Sequence, residues 1–231
     1  MTTTTATDRD RVSTQATDTA NADQGPGTRR RLLDAAAELF ATHGYRGVAV
    51  RDICEQACAN IAAVNYHFGG KDKLHRAAME HARRRALQEN PGPAGPKPAG
   101  PLPPAERLRR HLRAMLTRAF AQGPAGWHAR MVLREMVEPT PALRAAVQEN
   151  LAPYQRKLEA IVGQLMQQDP DTDAVRDAAD AVLAAAVYYQ TCRPAIKHLR
   201  PGLTFDQQTA ERLTDQLTSM VLNGIGASPG L

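Results

Sequence analysis

Aromatic residues are scarce in this chain, 4 % of 231 residues with a single Trp, and cysteine is rarer still, with only three. So few rings, set against 42 % apolar and 23 % charged residues, exclude collagenous and disordered classes for the bulk of the chain and argue against a β-rich fold. Cys54, Cys58 and Cys192 are too few and odd in number for a disulfide framework, which suits a reducing compartment. No apolar run approaches the roughly 20 residues that a bilayer span needs. The first 25 residues lack the apolar stretch of a secretory leader, so the expectation is a cytoplasmic protein without a membrane partner. Also missing are a Glu-x-x-His di-iron pair, a His-Glu-x-x-His motif, a glycine-rich phosphate loop and a nucleophile elbow. No catalytic residue, metal ligand or cofactor is therefore assigned, and the enzyme reading has nothing to stand on.

Positive charge is present but unevenly spread. The net charge of +5 divides into −2 over residues 1–27, +4 over 28–89 and +3 over the much longer remainder. The density in the second segment points to a polyanionic partner. Residues 1–26 are polar and Thr-rich, cannot offset ordering entropy by burial, and read as a disordered arm. Residues 91–104 read PGPAGPKPAGPLPP, in which Pro removes backbone donors and no helix can continue. This linker separates a basic module, 27–90, from a longer one, 105–224.

Helical spacing dominates elsewhere. Leu32, Leu33, Ala36, Leu39 and Phe40 predict a helix over about 28–43, with Thr28 as N-cap and Gly44 as stop. Short helices are predicted at 50–57, with Ile53 and Ala57 inward, and at 61–67, capped by Asn60, with Val64 and Phe68 inward. A long helix follows from Lys71 to Glu89. In the second module, Leu108, Leu112, Met115 and Ala119 mark one helix, and Met131, Val132 and Met136 a second. The third, about 141–168, should kink at Pro153. Val175, Ala178, Val182, Ala185 and Tyr189 mark a fourth, and Leu213, Leu217, Met220 and Val221 a fifth. The fold expected from this spacing is all-α, in two helical modules.

Two short helices joined by a three-residue turn in a basic segment make a helix-turn-helix candidate, whose second helix would enter the major groove. The spelling is more specific. Leu33-x-x-Ala36-x-x-x-x-Phe40, His43-Gly44-Tyr45, Val50-Arg51-Asp52-Ile53, Tyr66-His67-Phe68 and Lys71-x-x-Leu74 stand in the order seen in TetR/AcrR transcriptional regulators, which residues 27–74 resemble. NIAAVNYHFGGKDKL and, further on, WHARMVLREMVEPTPAL resemble the CecR-like branch of that family.

The resemblance implies an N-terminal three-helix DNA-binding domain of helix-turn-helix type and a C-terminal helical domain for ligand binding and dimerisation, and with them a homodimeric repressor released from a palindromic double-stranded DNA operator by a small-molecule effector. Carried over position by position, Ile61, Ala62, Ala63 and Asn65 face bases, and Tyr66, His67 and Lys71 touch phosphates. Thr28 and Arg51 complete the DNA-binding set. The chemistry agrees: Ile and Ala can meet thymine methyls, and an Asn amide can bond adenine N6 and N7 together. Two positions depart from the family pattern. Ala49 stands where a capping Ser or Thr is usual, leaving Asp52 to accept the helix's first donors, and Cys58 stands where the turn usually has Gly. Candidate effector contacts are Trp127, Met131, Arg134, Tyr154, Tyr188, Tyr189 and Arg193. The Ala-rich face formed by Ala178, Ala185 and Ala186 is the expected dimer surface. Two alternatives stay open at this point: a redox-responsive regulator working through Cys54 and Cys58, and a helical adaptor that does not bind DNA.

Overall fold

The computed structural model describes residues 25–89 and 100–225, and every regular element among them is helical. The expected arm, 1–26, and the expected linker, 91–104, lie mostly outside the described residues. The chain divides into two compact units at Arg83–Arg84, inside a helix and ahead of the proline-rich segment. The reason is local: Arg85 stacks 5.8 Å from the ring of Trp127, so the last turns of that helix belong with the C-terminal unit.

In the N-terminal unit, α1 (Pro26–His43), α2 (Val50–Ala57), α3 (Ile61–Phe68) and the first part of α4 (Lys71–Glu89) enclose one core. Gly25, not Thr28, is the N-cap of α1. Pro26 occupies its first turn, where a missing N–H costs nothing. Thr28 falls three positions past the cap, inside the first turn; it is 1 % exposed and accepts a hydrogen bond from Arg31 Nη2 at 3.0 Å. Leu32, Phe40, Ile53 and Leu74 are fully buried, and each such side chain contributes roughly 1.5–3 kcal/mol. Arg31 Nε donates to Ala57 O at 2.9 Å, pinning the end of α2 onto α1.

The C-terminal unit comprises α5 (Pro104–Phe120), α6 (Pro124–Val137), α7 (Leu143–Ala146), a π-helical turn (Val147–Leu151), α8 (Ala152–Met166), α9 (Asp173–Thr191), α10 (Arg193–Leu199) and α11 (Gln207–Gly224). Leu108, Leu112 and Leu116 form a fully buried stripe on α5, against Leu158 and Val162 of α8, Val175, Ala179 and Val182 of α9, and Leu213 and Leu217 of α11. The irregularity expected at Pro153 takes the form of the π turn just before it. Pro153 cannot donate, and its ring would crowd the carbonyl of Glu149. The Ala152 N–H instead reaches back to Val147 O, widening the helix by one residue.

Several packing expectations change. Met136 and Met220 are exposed although they sit on apolar stripes. Ala186 is buried, and Ala178 and Ala185 pack against the chain's own core, so this face is not the free dimer surface. The small residues that α9 does present are Ala174, Ala181 and Ala184, beside Tyr188. Helix α10 is unforeseen because Pro194 reads as a break, whereas Pro is tolerated in a first turn.

At the turn between α2 and α3, Cys58 holds φ 48° and ψ 54°, the left-handed region that glycine adopts without penalty. Cys58→Gly is expected to change stability by less than about 1 kcal/mol, in the stabilising direction. Cys58→Val, β-branched, should cost about 1–2 kcal/mol. Urea denaturation of the variants measures both, and a Val variant as stable as the parent would contradict the strain.

Candidate functional site

Helix α3 is short and both of its ends are capped. Asn60 Oδ1 accepts from Ala62 N at 3.0 Å, and Gly69, with φ 71°, closes the other end by donating its N–H to Asn65 O. Helix α2 starts without a capping side chain, as Ala49 requires, but the Asp52 carboxylate accepts from Ala49 N at 2.8 Å. Ala63, Val64 and Phe68 turn inward. Ala63 is 3 % exposed, so its methyl belongs to the core and leaves the base-facing set. Thr28, buried as described, leaves the set of exposed contacts for the same reason.

Ile61, Ala62, Asn65 and Tyr66 remain on the outer face. Ile61 is 49 % exposed and Tyr66 64 %, an apolar and aromatic surface that gains by being covered. His67 is half-buried, its ring 5.0 Å from that of Tyr66. Arg51 is exposed and pairs with Glu55 at 3.4 Å, so its charge is partly engaged already. Arg29 Cζ lies 5.2 Å over the ring of Phe68, adding an exposed cation near the end of α3 that spacing alone did not single out.

A second cluster sits where α4 begins. Lys71 Nζ lies 4.3 Å over the ring of Tyr45, and the Tyr45 hydroxyl donates to the Asp72 carboxylate. This bond and partial burial push the Tyr45 pKa up to about 12. Lys71 is lowered from its ordinary value by partial burial, against the pull of Asp72 and Asp52. Beneath them His75 meets Phe40 edge-on at 4.7 Å and Tyr45 at 5.1 Å. Burial, reinforced by Lys71, pushes its pKa down to about 4. The hydroxyl and carboxylate are 27 positions apart, so neither periodicity nor local motif could have paired them.

In the C-terminal unit the candidate contacts separate. Trp127 and Met131 are buried on successive turns of α6. Arg134 is half-buried, and the buried carboxylate of Glu135 accepts from Thr140 N at 3.1 Å and Thr140 Oγ1 at 2.8 Å. Tyr154 stacks on His111 with centroids 4.0 Å apart. Its hydroxyl donates to His111 O at 3.3 Å and accepts from Arg118 Nη2 at 3.3 Å. Burial pushes Tyr154 up to about 12 and His111 down to about 4. Tyr188 is 45 % exposed and meets Tyr189 edge-on, so it belongs to the surface of α9 and not to an interior pocket. Arg193 lies against Phe120 and Phe205. His111, Arg118 and Arg130 are interior polar groups absent from the expected set, because an isolated His or Arg in a helix carries no periodic signal.

Cys54 is buried and Cys58 exposed. No cluster of three or more His, Cys, Asp or Glu side chains capable of holding a metal occurs among the described residues. No described helix is long and apolar enough to cross a membrane.

Comparison with known proteins bears on both units. Residues 32–78 match the profile of bacterial regulatory proteins of the TetR family, and residues 104–226 that of the C-terminal domain of the HTH-type transcriptional dual regulator CecR. The HTH-type transcriptional repressor AcnR of Corynebacterium efficiens is 40 % identical over 68 residues, 29 % of this chain and 36 % of that protein. The regulator BetI of Brucella anthropi is 39 % identical over 64 residues, 28 % of this chain and 33 % of that protein. The chain thus spans about a third of the length of these curated relatives. Among solved structures, AibR in complex with isovaleryl coenzyme A and operator DNA superposes with a TM-score of 0.61 at 19 % identity, covering 84 % of this chain and 97 % of that one. A TetR-like regulator from Rhodococcus sp. RHA1 gives 0.58 at 20 % identity, covering 87 % and 97 %. At these identities the likeness is one of fold.

Buried His75 makes the N-terminal unit acid-sensitive. Its folded pKa, about 4, lies below the unfolded value near 6.5, so the unfolded chain takes up the proton first. Stability conferred by the neutral ring is complete above about pH 6.5 and falls by about 3 kcal/mol on the way down to pH 4. His111 adds a step of the same sign in the other unit. His75→Phe should therefore remove about half of the acid slope in chemical denaturation between pH 7 and 4, and an unchanged slope would contradict it.

Proposed function

The chain belongs to the TetR family of bacterial transcriptional regulators, with a CecR-type C-terminal domain, and we propose that it is a homodimeric repressor released from a near-palindromic DNA operator by a small molecule. One observation carries the DNA half of this reading: a capped helix following a left-handed turn exposes Ile61, Ala62, Asn65 and Tyr66 on one face. In the major groove, Asn65 reads adenine through two hydrogen bonds, and Ile61 and Ala62 meet thymine methyls. Tyr66, His67 and Lys71 hold phosphates, and Arg51 does so by exchanging Glu55 for the backbone. The N-terminal module, 27–90, is then the reading head and 105–224 the effector and dimerisation module. Such a role belongs in the cytoplasm.

Dimerisation is proposed through the stripe Ala174, Ala181, Ala184 and Tyr188 of α9, together with exposed Met220 of α11. A symmetric pair matches a two-fold operator. AibR, described with both isovaleryl coenzyme A and operator DNA, supports placing effector and DNA sites in one chain of this fold. The exposed thiol of Cys58 has no part in the response, so Cys58→Ser should bind and release DNA as the parent does under peroxide and under reductant.

Genomic fragments captured by the purified protein supply the operator. Asn65→Ala should relax base preference at one position of each half-site by about 1–3 kcal/mol. Lys71→Ala should weaken all duplexes alike and reduce the salt slope by about 1. Equal losses for both variants across an operator panel would contradict the division of roles. Sedimentation is expected to give a dimer at micromolar concentration; a monomer binding the operator with full affinity would overturn the dimer.

A further inference from the structure

Two guanidinium groups in the C-terminal unit carry charge that no described carboxylate neutralises. Arg130 of α6 reaches Ala121 O at 3.5 Å through Nη1 and Gly123 O at 3.2 Å through Nη2. Arg193, the first residue of α10, donates Nη2 to Ala119 O. Its Cζ lies 5.3 Å from the ring centre of Phe120 and 4.8 Å from that of Phe205. Both side chains thus converge on the stretch 119–123 at the carbonyl end of α5, and their partners are neutral oxygens and aromatic faces. Arg193 Nε is buried without any acceptor.

Three arginines on α5 are treated differently, each paired with a carboxylate. Arg109 pairs with Asp215, Arg110 with Glu106 and Arg113 with Glu211, at 2.7–2.9 Å. The carbonyl end of a helix offers about half a negative charge, which explains the placement of one guanidinium but not the accumulation of two. Burial lowers the pKa of both groups from the ordinary value, and the charge of Arg130 lowers that of Arg193 further. Arg130 is also held firmly: a Cβ on Gly126 would come within 2.5 Å of its Nη1 and 2.2 Å of Ala121 O, so the backbone is closed under it.

We propose that Arg130 and Arg193 are the head-group site for the effector, and that the effector is an organic anion, a carboxylate or a phosphate ester. The guanidinium fork matches both head groups bidentately, and an anion between the two arginines would relieve their mutual repulsion. This assignment rests on the ligand-responsive reading above and narrows its ligand to a chemical class.

The test uses the full chain and three probes with one apolar body: hexanoate, hexyl phosphate and hexanamide. Calorimetry and thermal melting should show binding of hexanoate or hexyl phosphate, with the melting temperature raised by a few degrees at saturating probe. The tighter of the two identifies the head group. Hexanamide should leave the melting temperature unchanged. Arg130→Gln and Arg193→Gln should each weaken the anion at least tenfold, whereas Arg193→Lys, which keeps the charge without the fork, should retain part of the affinity. Equal binding of the amide, no binding of either anion, or an undiminished anion response in the Gln variants would overturn the proposal and leave the arginines as a clamp on the end of α5. If a Gln variant fails to fold, the comparison of anion with amide on the parent and on Arg193→Lys still decides. Operator binding is measured separately. Release of DNA by hexanamide and by neither anion would overturn the head-group site while leaving the regulator intact. Loss of DNA binding altogether would overturn the regulator while calorimetry still reads the anion site.

Discussion

The outward face of α3 depends on where the helix begins, and that is set within three residues. Cys58 takes the left-handed conformation that reverses the chain after α2, and Asn60 accepts the Ala62 N–H that starts α3. A shift of one residue in this start would turn the helix by about 100° and, depending on its direction, bring Ala63 to the surface in place of Asn65 or Val64 in place of Tyr66. The burial of Val64 and Phe68 enforces the same register from below. Cap, turn and core therefore agree on one answer, the consistency expected of a site that must be presented in a fixed orientation.

Around this helix, polar groups are coupled over long stretches of sequence. Arg31 of α1 holds the last carbonyl of α2, and His81 of α4 lies 2.7 Å from Asp34 of α1. Tyr45 gathers Asp72, Lys71 and His75 at the start of α4. The cation of Lys71 is thereby carried on an aromatic face beside the C-terminal end of α3, partly dehydrated and oriented, as the phosphate contact proposed for it would require. Pre-ordering of this kind lowers the entropy that binding has to overcome.

The C-terminal unit solves a different problem. Its core is built from leucines, valines and alanines at helical spacing, and its paired arginines lie on the outside of α5. The buried polar side chains Glu135, Thr214 and Thr218 satisfy themselves locally, Glu135 with Thr140 and the two threonines with carbonyls of α11. Long-range polar contacts gather instead around Tyr154, with His111 and Arg118, and around the end of α5, with Arg130 and Arg193. Buried polarity is costly unless it is bonded, and the local pairs meet that cost within a turn or two of the same helix or the loop that follows it.

Local rules were enough to locate most helices, because periodic burial and terminal caps are properties of neighbouring residues. Val50–Ala57 and Lys71–Glu89 have the expected bounds, the strain at Cys58 followed from the glycine usual at that turn, and the compensating role of Asp52 followed from the alanine before α2. The outer face of α3 was likewise legible, apart from Ala63. What failed did so for stated reasons. Thr28 was displaced as a cap by Gly25 and Pro26, two residues whose terminal role periodicity does not weigh. Ala178, Ala185 and Ala186 face inward because the partner of a small-residue stripe is decided by the neighbouring helices and not by the stripe. The convergence of Arg130 and Arg193, and the clasp of Tyr45 on Asp72, join positions 63 and 27 apart in the chain. Secondary structure follows from interactions a few residues long, whereas uncompensated charge and long-range hydrogen bonds exist only once packing has brought distant segments together.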